Sequence, residues 1–270
     1  MLIGIIGYGV VGKAVDNTLS NYYKVIKYDK VGVHSKFSEL ADCNFIFITV
    51  PTPFDCEKNC VNLSAINESL DRLDDINYRK MVIIKSTVPP GTCDSYSNKY
   101  NYEIVFNPEF LRESTTPNED FENQDTIVIG ANSESSFDLV KKMYTEVAIS
   151  NAKYYHTSAI EAEMIKCAQN TMLASRVALA NMIYDACEDN KLDYQKVREI
   201  AFDRFEILGP HMVQVPGPDG ERGFGGKCLP KDVRAFSTIY ESDLLHSIIN
   251  YNDSLRNDLD KFLDNYKKKD

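Results

Sequence analysis

The sequence lacks several features that would assign it to one of the larger classes of protein. It contains no apolar run of transmembrane length, and no basic segment precedes an apolar one near Met1. We therefore expect neither a membrane partner nor a signal peptide. It has no internal repeat and no low-complexity segment. Basic residues are in deficit, 30 against 40 acidic ones, and the net charge of -10 argues against nucleic acid as the main partner.

Cysteine and histidine show no organised pattern either. The 7 cysteines form no disulfide framework, and without an export signal we expect reduced thiols and a cytoplasmic location. Cys56 and Cys60 have the spacing of half a metal site, but no second Cys or His pair follows. The histidines at positions 34, 156, 211 and 246 occur singly. We therefore predict no metal site.

The first motif that is present lies in the N-terminal segment. A short apolar strand leads into a glycine turn, a helical pattern and a second apolar run that ends at Asp29. The turn has the sequence Gly7-Tyr8-Gly9-Val10-Val11-Gly12. This order is typical of a dinucleotide site, in which the helix N-terminus binds the pyrophosphate and the acid binds the ribose hydroxyls. Asp29 favours NAD over NADP, and Lys30 weakens that preference slightly.

The rest of the first half alternates apolar strands with helical patterns, which predicts a Rossmann-type, doubly wound parallel α/β sheet over residues 1–157. The further predicted strands are 45–50, 81–85, 103–106, 126–129 and 153–156, and the predicted helices include 63–73 and 136–146. Turn-rich loops at 49–53 and 85–92 end two strands. Such loops bind ligands at the carboxyl edge of open sheets, although proline also simply ends strands.

The second half predicts an all-helical domain over residues 158–270. Its long central helix runs from Ser158 to about Asn190, without glycine or proline. Shorter helices are predicted at 193–201, 231–240 and 244–266, after a loop at 209–226. Lys166 and Asn170 share a face of the long helix. Such a pair is usually solvated, but near a reactive thiol it would stabilise developing negative charge.

Cys228 is the candidate nucleophile. Two glycines and Lys227 precede it, and Pro230, Lys231 and Asp232 follow. A thiol just ahead of a helix N-terminus and beside two lysines has the surroundings that lower a thiol pKa. Asp232 is placed to hold a water or accept a proton. The alternative is a buried structural cysteine.

Taken together, these motifs resemble the UDP-glucose/GDP-mannose dehydrogenase family, whose members oxidise a sugar nucleotide alcohol to a carboxylate with two NAD. The matching segments are 7–12, Pro51-Thr52-Pro53, 86–92, Asn107-Pro108-Glu109-Phe110-Leu111-Arg112-Glu113, Lys166 with Asn170, and 225–232. They occur in the family's order and span nearly the whole chain. UDP-glucose, oxidised to UDP-glucuronate, is the substrate that this resemblance favours.

The resemblance also implies roles for individual residues. Cys228 would carry a thiohemiacetal and then a thioester, and Asp232 would orient water. Lys166 and Asn170 would stabilise the oxyanion, while Glu109 acts as acid and base and Thr87 holds a water. The sugar nucleotide would contact Glu109, Phe110, Leu111, Arg112, Glu113, Lys166, Asn170 and Gly225. NAD would contact the glycine turn, Asp29, Thr52, Thr87, Glu113 and Lys231.

Some features depart from the family pattern. Lys227 and Leu229 stand where many members have Ser and Phe. Members usually continue into a third domain that grips the nucleotide, which we do not expect in this chain of 270 residues. A homodimer formed through the long helix is expected, although that helix would also serve as the core of its own domain. The alternatives are a β-hydroxyacid-type dehydrogenase with one hydride transfer, and a non-catalytic NAD-binding subunit.

Overall fold

The computed structural model describes residues 1–32, 35–55, 58, 60–111, 116–205, 220 and 242–256, without the side chains of 54, 55, 171–182 and 185. The chain forms two compact units, residues 1–172 and 173–270. The division falls within the long helix, and the domain boundary expected at Thr157 stays a prediction. No helix within the described ranges is long and apolar enough to cross a membrane.

The first unit is built on a seven-stranded sheet with the order β2-β1-β3-β6-β7-β8-β9. Its strands are β1 (Leu2–Ile6), β2 (Lys24–Tyr28), β3 (Phe45–Ile48), β6 (Met81–Ile84), β7 (Glu103–Phe106), β8 (Thr126–Gly130) and β9 (Lys153–Thr157). All pairs are parallel except β7 with β8, which meet antiparallel at Phe106 and Gly130. The order reverses beside β1, so the carboxyl ends of β1 and β3 form the crevice in which such sheets bind ligands.

Both faces of the sheet are covered, as a doubly wound fold requires. The connecting helices are α1 (Val10–Leu19), α2 (Ser64–Asp75), α3 (Thr92–Lys99), α4 (Pro117–Glu122) and α5 (Glu134–Thr145), with a 3-10 helix at Phe37–Asp42. Alternate strand residues point to opposite faces. Ile3, Ile5 and Phe47 therefore pack in one apolar cluster, while Ile6 and Ile48 pack in the other.

The predicted elements are largely found, with small shifts at their ends. Strands β3 and β6 end at Ile48 and Ile84, one or two residues earlier than predicted. Helices α3 and α4 were not predicted, because α3 buries only Thr92, Cys93 and Tyr96 and α4 has 6 residues. The short hairpin of β4 (Phe54–Asp55) and β5 (Cys60–Val61) was also not predicted, because each strand has only 2 residues.

The helical half begins with α6, which spans Ala159–Asp189 and matches the predicted long helix closely. After it come α7 (Tyr194–Arg198), a π-helical turn at Glu199–Asp203 and a final helix at Asp243–Leu255. The predicted helix at 231–240 and the end of the predicted helix 244–266 lie outside the described residues.

Candidate active site

The glycine turn after β1 has the backbone geometry that its sequence predicts. Gly7 has a φ of +95°, and a Cβ there would lie 2.8 Å from the backbone of Thr49 on the next strand. A Cβ on Gly12 would lie 2.1 Å from the Gly7 carbonyl oxygen, so this glycine lets α1 approach β1. A Cβ on Gly9 would meet nothing within 4 Å. The protein itself therefore needs Gly7 and Gly12, whereas the open space at Gly9 suits a ligand that approaches the backbone.

Asp29, directly after β2, borders a cavity of about 340 Å³ that is also lined by Gly7, Tyr28, Phe37 and Arg72. Its Oδ2 accepts a hydrogen bond from the Tyr8 N–H at 2.5 Å. Because a carboxylate has about four acceptor positions, Asp29 keeps capacity for a ligand hydroxyl. A negative charge here also disfavours a phosphate in the same place.

The polar and aromatic lining of this cavity is held by neighbouring side chains. The Arg72 guanidinium lies 3.9 Å from the centre of the Phe37 ring and donates to the Tyr28 hydroxyl at 2.6 Å. Lys30 Nζ pairs with Glu68 Oε2 at 2.5 Å. The lysine that weakened the preference for NAD in the sequence therefore has its charge directed at a carboxylate of α2. The cavity, the open glycine turn and Asp29 together fit the adenosine and pyrophosphate of NAD.

The two proline-rich loops at the carboxyl edge of the sheet are bonded to one another. The Thr52 hydroxyl donates to the Thr87 carbonyl at 2.8 Å, and the Ser86 hydroxyl donates to the Val50 carbonyl at 2.6 Å. Thr49 Oγ1 donates to the Gly7 carbonyl at 2.6 Å, which links the same edge to the glycine turn. The predicted ligand residues Thr52 and Thr87 are thus brought together next to the cofactor crevice.

Lys166 and Glu109 form the most buried ion pair at this edge. Lys166 Nζ donates to the Glu109 backbone carbonyl at 2.6 Å and lies 3.4 Å from its Oε1. The side chains are 7% and 14% exposed, so water screens their charges only partly. Glu109 Oε2 accepts from the Leu111 N–H at 2.9 Å, and Lys166 Nζ lies 5.5 Å from the Phe110 ring centre. Asn170, one turn further along α6, is exposed.

A buried carboxylate of α6 fixes the loop that contains Thr87. Glu163 is 0% exposed. Its two oxygens accept from the Gly91 N–H at 2.5 Å and the Cys93 N–H at 2.8 Å, at the start of α3. This contact joins the helix of Lys166 to the end of the 85–92 loop. Burial also raises the pKa of the Cys93 thiol well above its ordinary value, which makes that cysteine inert.

Family models match both halves of the sequence. The NAD binding domain of the UDP-glucose/GDP-mannose dehydrogenase family matches residues 13–148, and the central domain of the same family matches residues 160–254. The chain belongs to the UDP-glucose/GDP-mannose dehydrogenase family. These matches confirm the family resemblance and the prediction of NAD as cofactor, and the sheet confirms the predicted fold class.

Relatives in this family are longer than the chain. It is 32% identical over 243 residues to the UDP-glucose 6-dehydrogenase of Rickettsia bellii, covering 87% of this chain and 54% of the relative. It is 30% identical over 254 residues to UDP-glucose 6-dehydrogenase AglM of Haloferax volcanii, covering 83% and 56%. The chain therefore spans about half the length of the curated relatives that it matches.

Solved structures have the same fold. A ternary complex of GDP-mannose dehydrogenase from Pseudomonas aeruginosa matches with a TM-score of 0.76 and 25% identity, covering 94% of this chain and 69% of that one. A UDP-glucose dehydrogenase from Pyrobaculum islandicum matches with a TM-score of 0.68 and 24% identity, covering 93% and 68%.

Several predicted family residues lie outside the described part of the chain, namely Cys228, Asp232, Lys231, Gly225, Arg112 and Glu113. Conversely, sequence reasoning missed Glu163 and the buried Lys85, whose neighbours are described below. The one available signal for Lys85 was its place at the end of an apolar run that reads as a buried parallel strand. Within the described residues, no group of His, Cys, Asp and Glu could hold a metal ion.

Proposed function

We propose that this protein oxidises the primary alcohol of a sugar nucleotide to a carboxylate, with UDP-glucose as substrate and NAD as oxidant. The observation that carries this proposal is the buried Lys166–Glu109 pair beside the dinucleotide crevice, in a chain of the UDP-glucose/GDP-mannose dehydrogenase family. The names of the curated relatives point to UDP-glucose. Because the chain spans about half their length, the complete activity is part of the proposal.

The crevice fits NAD in three places. Gly9 leaves space for the pyrophosphate at the start of α1, Asp29 faces the cavity with spare acceptor capacity, and Glu68 holds Lys30. When bound, NAD supplies the hydride acceptor, and two molecules are consumed for each carboxylate formed. Thr52 and Thr87 border the same crevice and are proposed to contact the cofactor.

Lys166 and Asn170 are proposed to donate hydrogen bonds to the substrate oxygen while it carries negative charge. A desolvated ammonium stabilises an oxyanion more strongly than a solvated one, because water no longer competes for it. Lys166 is 6% exposed, which supports that role. Glu109, held by the Leu111 N–H and by Lys166, is proposed to take a proton from the hydrolytic water and return it to the leaving group.

Cys228 and Asp232 are proposed to complete the chemistry. Loss of hydride and a proton turns the alcohol into an aldehyde, and the Cys228 thiolate adds to it to give a thiohemiacetal. Loss of a second hydride and a proton gives a thioester, and water cleaves its C–S bond to release the carboxylate and the thiol. Asp232 is proposed to orient that water. The thiol is needed because a bare aldehyde offers no hydride until a nucleophile has added to it.

The test is a count of NADH formed per UDP-glucuronate released, by absorbance and chromatography. Two NADH per product, lost in Cys228→Ser, is the expected result. One NADH per product that persists in the variant would instead identify a single-hydride dehydrogenase. NAD binding without turnover on any sugar nucleotide would identify a non-catalytic subunit. Cys93→Ser is the matched control, because its thiol is buried and inert.

A homodimer is also proposed. Ile160 and Met164 lie one turn apart on α6 and are 44% and 54% exposed. Apolar side chains this exposed at helical spacing favour a partner surface. Sedimentation equilibrium tests this, with Met164→Glu expected to weaken self-association and the monomer mass of 30.6 kDa as the reference for failure.

A further inference from the structure

A second lysine lies close to the Glu109–Lys166 pair and has no role in the chemistry proposed above. Lys85, the residue after β6, is 1% exposed. Its Nζ donates to Asn107 Oδ1 at 2.9 Å and to the Asn107 backbone carbonyl at 3.2 Å. It also lies 5.3 Å from the centre of the Phe121 ring. Fully buried lysines are rare, because loss of hydration disfavours the ammonium, so this one invites a functional explanation.

The partner of Lys85 is itself fixed from several directions. Asn107 Oδ1 also accepts from the Tyr144 hydroxyl at 2.6 Å, and Asn107 Nδ2 donates to the Val128 carbonyl at 2.7 Å. Its backbone N–H donates to the Ile84 carbonyl at 3.0 Å. Asn107 follows β7 directly, and Glu109 comes two residues later. The Lys85–Asn107 contact therefore anchors the start of the segment that carries Glu109.

Lys85 also interacts electrostatically with both members of the ion pair. Burial lowers the pKa of Lys85 to about 7, Lys166 lowers it further, and Glu109 raises it. From α5, the Tyr144 phenol stays neutral, because burial raises its pKa. Of the groups that face Lys85, Glu109 and Lys166 are therefore the ones whose ionisation depends on whether it carries a proton.

We propose that Lys85 is a positioning residue, which anchors the Glu109 segment through Asn107 and whose charge governs the ionisation of Glu109 and Lys166. A protonated Lys85 weakens Glu109 as a base, and its loss of a proton makes Glu109 a stronger base and Lys166 a more secure cation. Activity therefore rises as Lys85 loses its proton. The catalytic part of this inference rests on the proposed function, whereas the ionic coupling does not.

The coupling is tested on the full chain by nuclear magnetic resonance of protein carrying 13C at lysine Cε. The Lys85 signal is assigned by its absence from Lys85→Met and Lys85→Arg. We expect it to titrate at least about two pH units below surface lysines, and Glu109→Gln to move it lower still, because an attracting anion is lost. A Lys85 signal that titrates with the surface lysines, or that Glu109→Gln leaves in place, would overturn the proposal.

The catalytic consequence is tested by the pH dependence of kcat with UDP-glucose. The wild type should show a rise whose midpoint matches the Lys85 titration. Lys85→Met, which imitates the neutral form, should lose this rise, and Lys85→Arg should stay roughly tenfold below the wild type at high pH, because its charge is permanent. Tyr144→Phe removes the other hydrogen bond to Asn107 Oδ1 without changing charge, so its rise should keep the same midpoint.

The two experiments separate two kinds of failure. A rise with an unchanged midpoint in Lys85→Met would refute control by Lys85. Absence of turnover in the wild type would overturn the proposed function, and the resonance titration alone would then decide whether Lys85 and Glu109 are coupled.

Discussion

Replacing Lys85 by methionine should change how the stability of the protein depends on pH. A lysine whose pKa is lowered on folding binds its proton more weakly in the folded state than in the unfolded chain. Between the two pKa values the unfolded chain therefore holds more protons, and the free energy of unfolding of the wild type rises with pH. Methionine has a similar length and no proton to bind, so the variant should lack this contribution.

The magnitude follows from the two pKa values. The pKa of Lys85 falls from an ordinary 10.5 to about 7 through burial. Integrating the difference in bound protons from about pH 6 to about pH 9 gives about 2.7 kcal/mol of added stability in the wild type, at about 1.36 kcal/mol per tenfold change in proton binding. The loss of the hydrogen bonds to Asn107 shifts the variant by an amount that does not depend on pH, so the slope carries the prediction.

The assay is urea unfolding of both proteins at a series of pH values, followed by the near-ultraviolet circular dichroism of the buried tyrosines. The quantity to plot is the difference in unfolding free energy between wild type and Lys85→Met, in which titrations common to both proteins cancel. Tyr144→Phe serves as a control that disturbs the same asparagine without removing a charge. A difference that stays flat from about pH 6 to about pH 9 would refute the assignment of a lowered pKa.

Three further outcomes follow from the geometry. Gly12→Ala should destabilise the fold by about 1–3 kcal/mol in urea unfolding, because its Cβ meets a backbone carbonyl, whereas Gly9→Ala should leave stability unchanged and weaken NAD binding in calorimetry; equal stability losses would contradict this. Glu163→Gln should cost about 2 kcal/mol in the same unfolding assay, because it weakens two charge-assisted hydrogen bonds to backbone N–H groups, and no loss would count against that clamp. Glu68→Gln should raise NADPH affinity about two- to fivefold in a fluorescence titration, because it frees Lys30, while NADH affinity stays constant; unchanged NADPH affinity would contradict the role of the pair.

The cofactor half of the site was predictable because its requirements are local. A left-handed backbone at Gly7 and a close helix–strand approach at Gly12 each need a glycine, so the spacing in the sequence carries the geometry. The acid after the second strand follows from the same unit. By contrast, α3 was missed because its sequence TCDSYSNK is mostly polar and gives little periodicity.

The sequence by itself determined the family, the fold class, the glycine turn with Asp29, and the extent of the long helix, because each depends on spacing within one segment. Only the tertiary structure decided which charged groups lose their water. Lys166 and Asn170 share a helical spacing, yet Lys166 is buried against Glu109 and Asn170 is exposed. The pKa of Lys85 depends on its burial and on Glu109 and Lys166. Desolvation depends on all the neighbours in space, which come from distant parts of the chain, and no local pattern encodes it.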